Sequence, residues 1–316
     1  MRVLVTGGAG FIGSTLVDRL LAERHEVDVV DDLSTGSLSN LAAARMAGGS
    51  MRFHNLDVRS GDVIDLIAHR RPEVIFHLAA QADVRVSVER PLFDAEVNIL
   101  GTIQVLEGAR AAATRKIVFA ASGGTLYGEP DGADLPVSEQ QPHRPLSPYG
   151  VSKKSSIDYL VAYRELHDIE FTALALANVY GSRQNPHGEA GVVAIFAGSL
   201  VAGEPCRIFG NGRQTRDYVY VDDVVDAFAR AAGRGGGLVL NVGTGVETSV
   251  IALYEVVAKA VGSTLAPVPA PPRAGEIQRS ALDPSRAALH LGWKPWTPFA
   301  DGVAAVVAHV RGEPDP

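Results

Sequence analysis

Residues 6–13 read Thr6-Gly7-Gly8-Ala9-Gly10-Phe11-Ile12-Gly13. The stretch follows a short apolar run, residues 2–6, and opens a run with helical spacing, residues 12–24. Gly8, Gly10 and Gly13 satisfy G-x-G-x-x-G, in which glycines permit a tight turn, a close approach of backbone to a pyrophosphate and close packing of helix on strand. Asp31 closes the next apolar run, residues 26–31, where a carboxylate can accept hydrogen bonds from an adenosine ribose. Strand, loop, helix and acid in this register predict dinucleotide binding. The carboxylates of Asp31 and Asp32 would repel a 2′-phosphate, and Leu33-Ser34-Thr35-Gly36 offers no arginine to hold one, so NAD is expected over NADP.

The alternation continues outward. Buried-strand patterns recur at 73–77, 116–121 and 170–177, with helix-like segments at 63–70, 93–112 and 149–167. This predicts an α/β fold, a doubly wound parallel (Rossmann) sheet over residues 1–177 that takes ligands at the carboxyl ends of its strands. Residues 178–316 break into Gly/Pro-rich loops and read as a smaller C-terminal substrate-binding lobe, with some segments returning to the first domain. That lobe is expected to hold helices at 190–201, 222–232 and 249–261, a strand at 206–209, and an extended connector at 266–272.

Composition narrows the partners. The net charge is -7 and the arginines are scattered, which argues against nucleic acid. Cys206 is the only cysteine, so no internal disulfide or Cys-rich metal cluster can form. No apolar run approaches a membrane span and the first residues do not resemble a signal peptide, so a cytoplasmic protein with no membrane partner is expected. No His/Cys/Asp set has metal-ligand spacing, and no metal is expected.

Tyr149 and Lys153 form Tyr-x-x-x-Lys, which puts both side chains on one helical face. Ser147 and Pro148 suit the N-cap and first helical positions, placing the Tyr in the first turn at the open end of the sheet. A phenol is a poor base near neutral pH, and a nearby ammonium together with a positive nicotinamide ring would favour its phenolate. Ser122, at a strand end, could offer its hydroxyl to a substrate oxygen and to the Tyr.

Together with Asp57-Val58, residues 77–81 (HLAAQ), 148–153 (PYGVSK), 178–181 (NVYG), 216–219 (RDYV) and 291–295 (LGWKP), these motifs resemble the extended short-chain dehydrogenase/reductases, and within them the UDP-galactose (UDP-glucose) 4-epimerases. The likeness spans nearly the whole chain. It implies that Gly7, Gly10, Phe11, Ile12, Gly13, Asp31, Asp32, Ser34, Thr35 and Gly36 cradle NAD. It further implies that Asp57 and Val58 border the adenine, that Leu78, Ala79, Ala80 and Asn98 line the rest of the NAD, and that Lys153 reaches the nicotinamide ribose. Asn178 and Arg216 would hold a UDP diphosphate, Arg207 to Phe209 would edge the uracil, and Arg273 would close over the phosphates. Four residues beyond Glu276, the resemblance places a sugar-size gate at Ser280. It also implies a homodimer paired through residues 93–112 and 149–167, with Val97, Leu100, Leu160 and Val161 as apolar candidates.

The loop after the strand pattern at 116–121, Ser122-Gly123-Gly124-Thr125-Leu126-Tyr127, is one residue longer than the commonest family form, so Ser122 or Thr125 could be the catalytic hydroxyl. Ser122 keeps its spacing from the strand and is the expected one. The segment 174–177 also lacks the Arg and aromatic residues common in the family before Asn178. Where dehydratases carry an acidic pair and decarboxylases a Glu, this chain has Gly123 and Gly124. The expected reaction is therefore 4-epimerisation of a UDP-hexose through a 4-keto sugar, with Tyr149 taking the proton of the 4-hydroxyl and NAD regenerated in each cycle. Alternatives are a UDP-glucuronate or UDP-N-acetylglucosamine 4-epimerase or another nucleotide-sugar oxidoreductase. An NAD-sensing protein without turnover would need none of Ser122, Tyr149 and Lys153.

Overall fold

Uninterrupted apolar runs bury both faces of a strand, which requires a sheet covered on two sides. The computed structural model describes residues 1–46, 50–130, 134–185, 191–273 and 277–313. Through the first part of the chain, β1 (Arg2–Thr6), β2 (Glu26–Asp31), β3 (Met51–Asn55), β4 (Val74–His77), β5 (Lys116–Ser122) and β6 (Glu170–Leu176) form its core strands. The helices between them are α1 (Phe11–Ala22), α2 (Ala42–Met46), α3 (Asp62–Arg70), α4 (Val84–Glu89), α5 (Pro91–Ala95), α6 (Gly101–Ala112), α7 (Gly123–Leu126) and α8 (Pro148–His167).

Beyond them come β7 (Asn178–Tyr180), α9 (Val192–Val201), β8 (Arg207–Phe209), β9 (Thr215–Arg216), β10 (Tyr218–Tyr220) and α10 (Val221–Ala231). The chain ends with β11 (Leu238–Val242), β12 (Thr248–Ser249), α11 (Val250–Val261), β13 (Val268–Ala270), α12 (Ser285–Leu291) and α13 (Phe299–Arg311). Seven strands pair in the order β11-β6-β5-β4-β1-β2-β3, and every pair is parallel. The order reverses between β1 and β4, which opens a crevice at their carboxyl ends where Thr6 and His77 stand.

Alternate residues of one strand feed opposite layers. Val3, Val5 and Phe76 pack with Leu16 and Leu20 of α1 and Phe228 of α10. Leu4, Ile75 and Phe119 pack with Ile67 of α3, Leu106 of α6 and Leu160 of α8. Burying each such side chain stabilises the fold by about 1.5–3 kcal/mol.

Four expectations change. β3 and β11 join the sheet although their short, partly polar runs carry no strand signal strong enough to read: β3 is a half-exposed edge and β11 follows a glycine-rich turn. The expected helix at 93–112 begins at Pro91 and is interrupted by a π turn, residues 96–100, which contains Asn98. The supposed connector at 266–272 contains β13, which pairs in parallel with β8; Pro269, without an N–H, is tolerated because the strand has only this neighbour. Of the apolar candidates for pairing, Leu160 faces the core at 1% exposure, whereas Leu100 and Val161 are exposed.

A Cβ at Gly13 would meet the carbonyl oxygen of Gly7 and lie 2.9 Å from Gly8 Cα, both immovable backbone. Gly13→Ala should destabilise the protein by roughly 2–4 kcal/mol, while Gly61→Ala, whose Cβ meets nothing within 4 Å, should stay within about 0.5 kcal/mol. Denaturant melts of the two variants measure the difference.

Candidate active site

The glycine loop is shaped by backbone proximity. Gly7 has φ +69°, and a Cβ there would sit 2.7 Å from Ala79 N. Gly10 caps α1 and provides no side-chain acceptor to the first-turn amides, which Phe11 and Ile12 begin. Asp31 Oδ2 accepts from Ala9 N at 2.9 Å and Oδ1 from Leu33 N at 2.9 Å, so the acid ending β2 braces the loop. Burial pushes the Asp31 carboxyl upward, against the pull of these two amides. Asp32 is exposed and holds Ser34 through its amide, 2.9 Å, and its hydroxyl, 2.6 Å, with exposed Thr35 beside it. Gly36 lies so close that a Cβ would be 2.8 Å from Asp31 Oδ1.

Across the crevice, Asp57 is clasped by Arg59 and thereby held below the usual carboxylate range. Val58 is buried against Gly101. A cradle too close for side chains, an uncapped helix start and two carboxylates at the end of β2 fit NAD: residues 7–13 suit its pyrophosphate and Asp31 and Asp32 its ribose.

Between the glycine loop and α8 runs a polar network whose members Thr6, His77 and Asp94 sequence reasoning left without a role. Thr6 Oγ1 accepts from the amides of Leu78, 3.2 Å, and Ala79, 3.1 Å, leaving its own proton for His77 Nδ1 at 2.7 Å. The proton of His77 therefore sits on Nε2, 3.0 Å from Thr102 Oγ1, which in turn donates to Asn98 O at 2.6 Å. Burial, then the charge of Lys153, lowers the His77 pKa to about 3, so the imidazole is neutral.

Asn98 Nδ2 donates to Gln81 O and to Asp94 Oδ1, each at 2.9 Å, and its Oδ1 accepts from Gln81 N at 3.0 Å. One amide hydrogen of Asn98 is thus spent on the loop carrying Leu78, Ala79 and Ala80, and the other on Asp94 of α5. The signal for the network was a hydroxyl and an imidazole ending the strands on either side of the switch point.

Ser147 Oγ accepts from Gly150 N at 3.2 Å and Pro148 opens α8, which sets Tyr149 in the first turn. Lys153, one turn on and 2% exposed, donates to Ala120 O at 2.9 Å and lies 4.7 Å from the ring centre of Phe119 and 5.7 Å from that of Tyr149. Burial lowers its pKa to about 8, and Asp94 opposes the fall. The phenol of Tyr149 is pushed up by its protein surroundings. Burial is the main cause and Asp94 adds to it, while a hydrogen bond from Ser122 works the other way.

Thr125 Oγ1 instead turns back to Ser122 O at 3.4 Å. A Cβ at Gly123 would collide with the Leu282 side chain, whereas one at Gly124 meets nothing within 4 Å. Of these two positions, only 124 has room for a side chain.

The C-terminal segments bring the remaining candidates together. β7 and β10 pair Asn178 with Tyr218, and Asn178 N donates to Asp217 O at 2.9 Å, next to Arg216, whose Nη1 donates to Thr215 O at 2.7 Å. Asp217, 1% exposed, accepts from the amides of Thr244, Gly245 and Leu282 and from the Thr244 hydroxyl. The guanidinium of Arg273 lies over Phe209, 4.0 Å from the ring centre, while Arg207 is exposed on the same strand as Phe209. Ser280 is half-buried two residues before Leu282, which packs at Gly123; Glu276 lies outside the described residues.

Among the described residues no helix is long and apolar enough to cross a membrane. Over 314 residues the chain is 52% identical to the UDP-glucose 4-epimerase of Mycolicibacterium smegmatis, covering 99% of both chains. The UDP-glucose 4-epimerase of Thermotoga maritima, solved with UDP-glucose, superposes with a TM-score of 0.95 at 41% identity, covering 99% of each chain. That of Thermus thermophilus, solved with NAD, gives 0.91 at 43% identity, again over 99% of each. The family model described as "NAD dependent epimerase/dehydratase family" matches residues 3–243, and the chain belongs to that family.

Proposed function

We infer that this protein is an NAD-dependent 4-epimerase that interconverts UDP-glucose and UDP-galactose through a 4-keto sugar. The observation that carries this reading is the convergence of Tyr149, Lys153 and Ser122 at the carboxyl end of β5 beside two glycines that bring no acid. Such a site moves protons without eliminating water. When bound, oxidised NAD supplies the acceptor and later donor of the C4 hydride and a positive ring charge that favours the Tyr149 phenolate.

Tyr149 accepts the proton of the sugar 4-hydroxyl and returns it, and Ser122 hydrogen-bonds the same oxygen. Lys153, buried and cationic, stabilises the negative charge on the phenolate oxygen. Asn178 and Arg216 hold the diphosphate, Arg207 and Phe209 edge the uracil, and Arg273, stacked on Phe209, covers the phosphates. Ser280 faces the sugar, where so short a side chain leaves room for a 2-acetamido group.

Two helical segments, residues 91–112 and α8, complete the proposal. Leu92, Leu100, Val151, Val161 and Leu166 are exposed on the segments around α5, α6 and α8, and we assign them to a homodimer interface. Light scattering at micromolar concentration should give the mass of two chains, and a monomer there removes the interface.

Incubated with UDP-galactose and no added cofactor, the purified protein should form UDP-glucose and release NAD on denaturation. Tyr149→Phe should lower turnover about 10²–10⁴-fold with NAD content unchanged. Unchanged turnover, or NADP in the supernatant, defeats the reading. For the loop, Ser122→Ala should lose most of the activity and Thr125→Ala little, because only Ser122 acts on the phenol; the opposite ranking moves the catalytic hydroxyl to Thr125.

A further inference from the structure

Asp94 is a fully buried carboxylate that the mechanism does not use. It accepts from Gln81 Nε2 at 2.9 Å, Asn98 Nδ2 at 2.9 Å and Ser152 Oγ at 2.6 Å. These donors come from the loop after β4, the π turn and α8, and Ser152 immediately precedes Lys153. Lys153 is an almost fully buried ammonium whose contacts are one carbonyl and two aromatic rings. Neutral contacts of this kind do not offset the desolvation of a charge, and a fixed opposite charge nearby does.

We propose that Asp94 is a positioning residue of this active site, supplying the buried negative charge that balances Lys153 and tying the Tyr149–Lys153 turn, through Ser152 and Asn98, to the loop that follows β4. The proposal rests on the assignment of Tyr149 and Lys153 as the reacting pair. The groups that face this pair are neutral His77 from β4, Ser122 from β5 and Asp94 from α5. Of these only Asp94 carries charge, and it favours the protonated form of both Lys153 and Tyr149.

Asp94→Asn tests this. An amide can still accept from Gln81 and Asn98 and can donate to the Ser152 hydroxyl, so the shape is kept and the charge removed. Both partners should then lose their protons at lower pH. The acid limb of turnover, set by ionisation of Tyr149, and the alkaline limb, set by loss of the Lys153 ammonium, should move down together by about one pH unit.

Lysine side-chain carbon NMR reads the same charge without turnover. The chain has only Lys116, Lys153, Lys154, Lys259 and Lys294, and Lys153→Met assigns the signal. The Lys153 midpoint, near 8 in the parent, should fall by about one unit in Asp94→Asn, with Lys116 unmoved. A fixed Lys153 midpoint and fixed limbs overturn the proposal even if turnover drops. A shifted midpoint in a protein that turns over no UDP-sugar upholds Asp94 and counts against the epimerase reading instead.

If Asp94→Asn does not accumulate folded, Asp94→Asn with Lys153→Met removes both charges. Recovery of folded protein in the double variant supports the pair, and no recovery overturns it.

Discussion

The carbonyl of Gly7 and the α-carbon of Gly13 approach so closely that no side chain fits between them, and this contact seats the start of α1 on the end of β1. Everything at the crevice is placed relative to it. β1 is flanked by β2, whose Asp31 braces the glycine loop, and by β4, whose His77 meets the hydroxyl of Thr6. Through Thr102 and Asn98 the same chain of hydrogen bonds reaches Ser156 of α8. A helix that rode higher on β1 would leave the loop, the imidazole and the catalytic turn out of register.

Burial then sets the chemistry. Desolvation moves Tyr149 toward the neutral phenol and Lys153 toward the neutral amine, so burial by itself disfavours the charged form of each. Charged and polar neighbours decide the outcome: Asp94 favours the ammonium and Ser122 the phenolate. The dry surroundings that oppose charge also strengthen each charge–charge interaction, which makes the ionisation of Tyr149 sensitive to the positive charges placed beside it.

Legibility in the sequence followed the strength of local patterns. β1 and β2 end where their apolar runs end, and the Ser147-Pro148 start of α8 shows in the cap itself. β3 and β11 escaped because an edge strand and a strand after a glycine-rich turn are fixed by their neighbours in the sheet. Tyr149, Lys153 and Ser122 were legible because spacing along one helix and position at a strand end are local facts. The clasp of Arg59 on Asp57 and the burial that raises the Tyr149 phenol depend on three-dimensional surroundings that no local motif reports. Asp94 was silent for the same reason: its partners lie 13, 4 and 58 residues away.

Asp217 joins three stretches that are distant in the chain: its carbonyl receives Asn178, and its carboxylate receives Thr244, Gly245 and Leu282. On the proposed function, the wall that holds the diphosphate and the wall that faces the sugar therefore share one seam. Over evolutionary time this separates two kinds of change. Under the role proposed for Ser280, exchanging that side chain would retune the sugar accepted without touching the hydrogen bonds of Asp217. Adding or deleting a residue between 278 and 283 would drag the seam at Asp217 along with it, so on that proposal new sugar preferences would arise by substitution more readily than by changing loop length.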